Sequence, residues 1–281
     1  MSTNYFLKKY QDLKSWILES LKNSSFVLQP EQETRWLLEH FAPNKELSPY
    51  KIKKIKEQAT LRAQGKPLAY IIGYVVFDDL KIKCKPPILI PRDDTESWLQ
   101  DLKEELKNTK NLNILDLCTG SGCIALSLSK LKKSSIEGGD INPEALKLAR
   151  HNREKLKIKN VKFVKSDLFE KFSKAKFDLI VSNPPYISQK LYANLDPSVK
   201  NWEDQLALTD NEDGLFFYKI IIANFSKFIK NTSADHPLLC LEISPELTNR
   251  VARLLRKNNL NNFKIIKDLS DKDRAIFVYK N

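Results

Sequence analysis

The sequence predicts an α/β protein: a seven-stranded, mostly parallel sheet with helices on both faces, plus a small N-terminal helical domain joined by a β-hairpin. Three observations support this fold class. Short apolar runs alternate with helical stretches after about residue 97, the last two runs leave no room for a helix between them, and residues 1–66 show only helical periodicity. We therefore expect a helical domain and a separate sheet domain.

The length of 281 residues exceeds the roughly 100–150 residues typical of one domain, which favours two. We place the helical domain at 1–66, the hairpin linker at 67–96 and the sheet domain at 97–281. Hydrophobic residues make up 42% of the chain, which is enough for both cores and excludes a disordered protein.

Three helices are predicted in the helical domain. In the first, apolar residues recur at spacings of three and four and form one stripe, namely Phe6, Tyr10, Leu13, Ile17 and Leu21. The second begins near Pro30, which suits a first turn. In the third, Ser48 can cap the helix, Pro49 follows it in the first turn, and Gly65 can end it.

The linker and the sheet domain follow from their apolar runs. Between Tyr70 and Pro91 the runs VVF, LKIKC and ILIP are extended, and Asp78-Asp79 forms the turn of a hairpin. The seven strand-length runs of the sheet domain lie at 113–117, 135–140, 161–164, 177–182, 237–243, 263–268 and 274–279. Helices are expected near 121–132, 143–155, 215–230 and 245–258. The last two strands are too close for a helical crossover, so they should form an antiparallel hairpin.

Charge and cysteine usage narrow the classes of function. There are 47 Lys and Arg against 35 Asp and Glu, a net charge of +12. This charge favours an acidic or nucleic-acid-associated partner, although it is equally typical of a solvated lysine-rich surface. The four cysteines form no CxxC pair and the three histidines lie apart, so we expect neither a metal site nor disulfides. The absence of a signal peptide and of a membrane-spanning run indicates a cytoplasmic protein.

A glycine loop directly follows the first strand of the sheet domain. In CTGSGCIAL, Gly120 and Gly122 let the backbone approach a ligand, and the N-terminus of the next helix favours a polar or anionic group. Asp140 follows Gly122 by 18 residues and can accept hydrogen bonds from two ribose hydroxyls. The loop predicts a nucleoside-bearing cofactor. Because it also satisfies GxGxxA, NAD remains an alternative at this point.

The tetrapeptide Asn183-Pro184-Pro185-Tyr186 ends the fourth strand and should face the same crevice as the glycine loop. Its two prolines have no N–H groups, so the segment presents carbonyl acceptors, to which Asn183 adds a side-chain oxygen. Tyr186 could stack on a flat group. This chemistry suits a planar NH2 group that is turned toward an electrophile.

Together, LDLCTGSG, Asp140 and NPPY resemble the motifs of class I S-adenosylmethionine-dependent methyltransferases that act on planar amino groups. Further marks resemble one family, the peptide chain release factor N5-glutamine methyltransferases. They are RAQGKPLAYIIG (62–73), Phe77, LIPRDDTE (89–96), Ala207-Leu208, DGL (213–215), Tyr218 and KDLSDKDRAIFV (267–278). Each is weak alone, but their joint order is highly specific.

The resemblance implies a cofactor, a substrate and site residues. The cofactor is S-adenosylmethionine, and the residues implied to bind it are Cys118, Thr119, Gly120, Ser121, Gly122, Asp140, Asp167, Leu168 and Asn183. NPPY would grip the substrate, the glutamine of the GGQ motif in class 1 peptide chain release factors, with Asn183, Pro184, Pro185 and Tyr186 as catalytic residues. Direct nucleic-acid binding would not be required, and a monomer is expected.

The chain departs from the family pattern near these motifs. Cys118 stands where the family often has Gly, and Leu168 where an aromatic residue is common. Asn142 replaces a common Ser, and Asp204 follows Glu203 where Pro is usual. Ser244 and Leu247 also replace a usual Gly and Gln.

Other functions stay open on the residues alone. The nearest are a ribosomal-protein glutamine methyltransferase and an N6-adenine methyltransferase acting on nucleic acid. An adenine enzyme has to flip the base and usually needs an extra nucleic-acid-reading domain, for which only the N-terminal region is available. A dehydrogenase and a non-catalytic RNA-binding module are more distant alternatives.

Residues outside the main motifs also bear on the site. Arg92 and Glu96 could close the crevice or pair with each other. Glu203 and Asp213 could order the long loop 187–214, which could clamp the substrate. The N-terminal helices are expected to recognise the body of a protein substrate.

Overall fold

A computed structural model describes residues 3–230 and 235–280, with side chains from Leu7 onward. Its helices are α1 Thr3–Lys22, α2 Pro30–Phe41, α3 Pro49–Ala63, α4 Leu68–Ile72, α5 Asp93–Leu106, α6 Cys123–Leu128, α7 Pro143–Lys155, α8 Gln189–Ala193, α9 Pro197–Lys200, α10 Gln205–Leu208, α11 Phe216–Asn224 and α12 Thr248–Lys257. Its strands are β1 Tyr74–Phe77, β2 Leu80–Lys83, β3 Asn113–Leu117, β4 Ser135–Asp140, β5 Val161–Lys165, β6 Leu179–Ser182, β7 Leu239–Glu242, β8 Phe263–Lys267 and β9 Asp273–Val278.

The chain divides into two compact units. The helical unit comprises the residues up to Tyr74 together with Asp196–Trp202, and the sheet unit comprises Val75–Leu195 and the residues from Glu203 onward. The first division lies at Tyr74, whereas the sequence placed the end of the helical domain at residue 66. The domain boundaries drawn from the sequence therefore stay a prediction about which segments fold independently.

The helical unit is built on α1, α2 and α3, whose apolar faces share one core. Leu13, Ile17 and Leu21 of the predicted stripe are buried in it, whereas the side chain of Phe6 lies outside the described residues. The second helix begins at Pro30 as predicted. The side chain of Ser48 accepts a hydrogen bond from the Lys51 N–H and so caps α3.

The β1–β2 hairpin turns at the predicted pair of residues. Asp78 and Asp79 have φ angles of 52° and 60°, as a two-residue type I′ turn requires. The pattern from Tyr70 to Pro91 is only partly strand, since ILIP forms no strand and Tyr70 lies in α4. The hairpin is therefore shorter than the sequence indicated.

Within the described part of the chain, the main sheet has seven strands in the order β5-β4-β3-β6-β7-β9-β8. The strands from β5 to β7 pair in parallel, whereas β9 is antiparallel to both β7 and β8. This confirms the predicted mostly parallel sheet with a terminal hairpin. The buried side chains of β3, β6 and β7 form the centre of cores that the helices cover.

Helix α5 was missed by the sequence analysis, which assigned residues up to 96 to the linker. Its buried residues Trp98, Leu99, Leu102 and Leu106 recur at helical spacing, and Asp93, Asp94 and Glu96 place negative charge in its first turn. The predicted helix at 121–132 is only Cys123–Leu128. Because a helix this short has little dipole, the sequence overestimated its attraction for an anion.

Candidate active site

The glycine loop and NPPY lie next to each other at the carboxyl ends of two neighbouring strands. Leu117 at the end of β3 pairs with Ser182 at the end of β6, and Ser182 Oγ donates to the Leu117 carbonyl at 2.9 Å. Cys118 and Asn183 are the next residue of each strand. The register therefore brings the two motifs to one end of the sheet, where open α/β sheets bind ligands.

The glycine loop is fixed by its own backbone. The Thr119 N–H donates to the Gly139 carbonyl at 3.0 Å, and the Gly122 N–H donates to the Thr119 carbonyl at 2.8 Å. Gly120 has a φ angle of +55°, and a Cβ atom added there would meet nothing within 4 Å. Cys118 also has a positive φ angle, 58°, which explains why glycine suits this position. The space beside Gly120 is therefore open and could admit a ligand.

Asp140 ends β4 beside this loop. Its Oδ2 accepts from the Gly120 N–H and its Oδ1 from the Asn142 N–H, both at 2.8 Å. Burial raises the pKa of the Asp140 carboxyl, while these two N–H groups oppose the rise. Each carboxylate oxygen keeps lone pairs for a further donor, such as a ribose hydroxyl.

Asp167 and Leu168 follow β5, the strand next to β4. The Ser166 N–H donates to the Asp140 carbonyl at 3.0 Å, which ties this turn to the end of β4. Leu168 has a φ angle of 39° and packs against the core, whereas Asp167 is exposed. The two predicted residues therefore lie one strand further from NPPY than Asp140 does.

Residues from several other segments of the chain contact the NPPY motif. Pro184 and Pro185 are buried, and Asn183 Nδ2 donates to Thr95 Oγ1 at 3.3 Å. A Cβ atom at Gly214 would lie 2.5 Å from the Tyr186 carbonyl oxygen. The DGL segment therefore packs directly against NPPY, which requires glycine at this position.

Glu242, at the end of β7, lies at the centre of a buried hydrogen-bond network that the sequence analysis missed. Its carboxylate accepts from Thr95 Oγ1 at 2.6 Å, Trp98 Nε1 at 2.9 Å and Tyr186 OH at 3.2 Å. Tyr218 OH donates to the Glu242 carbonyl at 2.6 Å. The available signal was an acidic residue at the end of an apolar strand, next in the sheet to the strand that carries NPPY.

Asp116 is another buried acid that the sequence analysis did not assign. Its Oδ2 accepts from Thr119 Oγ1 at 2.5 Å and from the Ala125 N–H at 3.2 Å, whereas Oδ1 has no partner in the described residues. Burial raises the pKa of Asp116 to about 7.

The loop from 187 to 214 contains three short helices, α8, α9 and α10. Arg92 Nη2 donates to both carboxylate oxygens of Glu203 at 2.7 Å, so its partner is Glu203 and not Glu96. Asn142 Nδ2 donates to Asp204 Oδ2 at 3.0 Å. Two departures from the family pattern, Asn142 and Asp204, thus contact each other.

The arrangement fits a nucleoside-bearing cofactor. The observations are the open space at Gly120 and the lone pairs that Asp140 keeps for a further donor. No group of three or more metal-ligating side chains occurs among the residues that the structure describes. Likewise, no helix in the described ranges has the length and hydropathy needed to cross a bilayer.

The sheet order and the two motifs at its carboxyl end define a class I methyltransferase. A model of the methyltransferase small domain matches residues 94–196. The fold is shared with a methyltransferase of Pyrococcus furiosus, at a TM-score of 0.50 and 20% identity over 71% of this chain and 88% of that one.

The chain belongs to the release factor glutamine methyltransferase family. It is 44% identical over 230 residues to the family member of Fusobacterium nucleatum. This alignment covers 81% of this chain but only 64% of the relative's length. It is 37% identical over 245 residues to the member of Thermodesulfovibrio yellowstonii, with 86% of each protein covered. The resemblance drawn from the motifs is confirmed, and the alternatives of a dehydrogenase and of a non-catalytic module are wrong.

The raised pKa of Asp116 predicts that stability falls as the pH rises. Between the ordinary pKa of 3.8 and the raised value of about 7, the folded chain keeps a proton that the unfolded chain releases. Raising the pH from 5 to 8 should therefore lower the free energy of unfolding by about 2–3 kcal/mol through this group. Urea unfolding at several pH values measures it. Asp116→Asn should remove this part of the slope, and an unchanged slope in that variant would contradict the assignment.

Proposed function

We propose that this chain transfers a methyl group from S-adenosylmethionine to the side-chain amide nitrogen of the glutamine in the GGQ motif of class 1 peptide chain release factors. The observation that carries the proposal is the position of NPPY directly beside the glycine loop, at the ends of β6 and β3. Family membership supports the glutamine substrate, since the relatives in Fusobacterium nucleatum and Thermodesulfovibrio yellowstonii are named for it.

The cofactor is assigned to the glycine loop and its neighbours. Residues 118–122 and Asp140 would hold its amino acid and ribose parts, with Asp140 accepting from ribose hydroxyls. Asp167 and Leu168 would lie beside adenine, and Asn183 would border the cofactor. When bound, the cofactor supplies an electrophilic methyl group on a sulfonium.

The protein has to activate the other reactant, because an amide nitrogen shares its lone pair with the carbonyl and is a poor nucleophile. Asn183 Oδ1 and the Pro184 carbonyl would accept from the glutamine NH2 group and align it with the methyl group. The same acceptors would stabilise the positive charge that develops on nitrogen. No general base is needed before transfer, since the product can lose its proton to water.

Tyr186 and the neighbouring prolines would complete the glutamine pocket. The Tyr186 hydroxyl donates a hydrogen bond to Glu242. This hydrogen bond would hold the ring in place and leave the face of the ring for stacking on the carboxamide. Burial raises the pKa of the Tyr186 hydroxyl, so the group stays neutral and does not act as a base.

The helical unit is proposed to recognise the body of the release factor. It carries a groove of about 960 Å³ whose lining includes Trp16, Pro49, Ile52, Lys53, Lys56 and Leu61. Lys56 Nζ lies 4.6 Å from the centre of the Trp16 ring. An aromatic, basic groove suits an acidic protein surface.

Incubation with labelled S-adenosylmethionine tests the function. Mass spectrometry should find one added methyl group on the GGQ glutamine of a purified release factor. A short GGQ peptide should be methylated with a lower kcat/KM, because it cannot contact the helical unit. Methyl transfer to a ribosomal protein or to adenine in DNA or RNA, with none to the release factor, would favour the alternative substrates.

We also propose that the chain acts as a cytoplasmic monomer. All four cysteines are free thiols, which is compatible with a reducing compartment. Light scattering should give a mass near 32.5 kDa, and a concentration-independent dimer would contradict the proposal.

Gly120 and Gly122 provide a matched pair for the cofactor site. Both have positive φ angles, so alanine adds backbone strain at either position. At Gly120 the new methyl group would enter open space, whereas at Gly122 it would lie 2.8 Å from Phe163 Cζ. Gly120→Ala should therefore weaken cofactor binding about 10-fold or more by filling this space, while Gly122→Ala should cost roughly 1–3 kcal/mol more stability. Calorimetric titration and urea unfolding separate the two effects, and equal cofactor affinity for Gly120→Ala and wild type would contradict the assignment.

A further inference from the structure

We propose that Thr95 and Glu242 are positioning residues that hold the Asn183 amide in the orientation that presents Oδ1 to the substrate. The inference rests on the proposed function, because it concerns the side chain assigned there to the glutamine NH2 group. Neither residue has a role that its sequence motif predicts. Both would act through Asn183 and neither has to contact the substrate.

The three side chains form one chain of hydrogen bonds. Asn183 Nδ2 donates to Thr95 Oγ1 at 3.3 Å, and Thr95 Oγ1 donates to Glu242 Oε2 at 2.6 Å. Thr95 and Glu242 are each only 2% exposed. Because solvent hardly reaches these groups, each proton has few alternative partners and the direction of the chain is well defined.

The donors that contact Glu242 determine the direction of these hydrogen bonds. Trp98 Nε1 can only donate, so its 2.9 Å contact makes Glu242 Oε2 an acceptor. Thr95 gives its single proton to the same oxygen, which leaves Thr95 Oγ1 as an acceptor toward Asn183. Only the NH2 group of Asn183 can satisfy that acceptor, so its carbonyl oxygen has to lie on the other side of the amide.

Asn183 Oδ1 has no partner among the described residues, so it is free to accept. If the amide were rotated by half a turn, Oδ1 would face the Thr95 lone pairs and the NH2 group would face the substrate. The substrate glutamine would then present a donor to a donor, and the hydrogen bond that aligns its nitrogen would be lost. Thr95 therefore selects between a productive and an unproductive rotamer.

Glu242 also fixes the other end of NPPY. Its second oxygen, Oε1, accepts from Tyr186 OH at 3.2 Å, and its carbonyl accepts from Tyr218 OH at 2.6 Å. Burial raises the pKa of the Glu242 carboxyl, whereas the Thr95, Trp98 and Tyr186 donors oppose the rise. One buried acid on β7 is thereby connected to both the amide and the ring of the motif on β6.

A matched pair of variants tests the proposal by kinetics. Thr95→Val keeps the shape of the side chain and removes the hydroxyl, whereas Thr95→Ser keeps the hydroxyl. In single-turnover assays on a release factor, Thr95→Val should lower the transfer rate roughly 10–100-fold, and Thr95→Ser should stay within about 3-fold of wild type. The dissociation constant for S-adenosylmethionine should change far less than the rate, since Asn183 is the only residue assigned to the cofactor that Thr95 is proposed to position.

Two further variants separate positioning from a general structural role. Trp98→Phe removes another bond to the same Glu242 oxygen without touching Asn183, so its loss of rate should be smaller than that of Thr95→Val. In the Asn183→Ala background, Thr95→Val should cause almost no additional loss, because Thr95 acts through Asn183. Equal losses for Thr95→Val and Trp98→Phe, or full additivity with Asn183→Ala, would overturn the proposal.

A spectroscopic measurement decides the orientation without any substrate. The Asn183 side-chain ¹⁵N resonances, assigned by their disappearance in Asn183→Asp, should show slowed proton exchange in wild type and in Thr95→Ser. Thr95→Val should lose this protection, and unchanged exchange would contradict the inference. If wild type failed to methylate the release factor, the proposed function would fail, while the exchange measurement would still decide the role of Thr95.

Discussion

Asn183→Ala is expected to lower the rate of methyl transfer to the release factor by about 10²–10³-fold, the loss typical for removing one preorganised contact at a reacting group. The variant lacks the side-chain oxygen that would accept from the glutamine NH2 group, and it leaves Thr95 Oγ1 without its donor. The remaining Pro184 carbonyl cannot by itself align the nitrogen. Single-turnover assays with labelled cofactor measure the change in the transfer step.

A control for this substitution lies on the neighbouring strand. Asn113 begins β3, at the opposite end of the sheet from NPPY, and its side chain is exposed. Asn113→Ala should leave the transfer rate within about 2-fold of wild type, because exposed positions away from special features tolerate substitution. A near-normal rate for Asn183→Ala would remove the basis of the proposed mechanism.

Asp140→Ala should raise the dissociation constant for S-adenosylmethionine by about 10²-fold or more, since each hydrogen bond to a charged group contributes roughly 1.5–3 kcal/mol. The substitution removes the acceptor assigned to the ribose hydroxyls. It also leaves the Gly120 and Asn142 N–H groups without their partner, so the glycine loop loses a contact that shapes it. The transfer rate at saturating cofactor should fall much less than the affinity.

Calorimetric titration checks the change in affinity. Asp271→Ala is the matched control, because Asp271 lies on the exposed connection between β8 and β9, which belongs to neither motif. Its affinity for the cofactor should equal that of wild type. Should Asp140→Ala bind as tightly as this control, the ribose would have to be held elsewhere.

The elements that carry a complete local signal were predictable from the sequence. Helix α7 spans Pro143–Lys155, the range that was predicted, because Asn142 caps it and proline follows in the first turn. Strands β3 and β4 were likewise predicted at their full length, 113–117 and 135–140. In these segments the local preference and the tertiary packing agree.

Helix α5 could not be predicted from the sequence alone. Its apolar residues follow directly on the extended segment that contains ILIP, and the sequence alone did not show where one pattern gave way to the other. The ion-pair partner of Arg92 could not be predicted from the sequence either. Glu96 is near it in sequence, but the long loop brings Glu203 to within 2.7 Å.

By itself, the sequence determined the fold class, the cofactor loop and the NPPY motif. Each of these depends on consecutive residues that have a definite backbone or hydrogen-bonding preference. Only the tertiary structure decided which distant groups meet those motifs. Thr95 from α5 and Glu242 from β7 reach NPPY through the order of the strands and the packing of a helix, and both are buried. Hydrogen bonds between residues 88 and 147 positions apart leave no local pattern, so the orientation of Asn183 became visible only once the sheet was assembled.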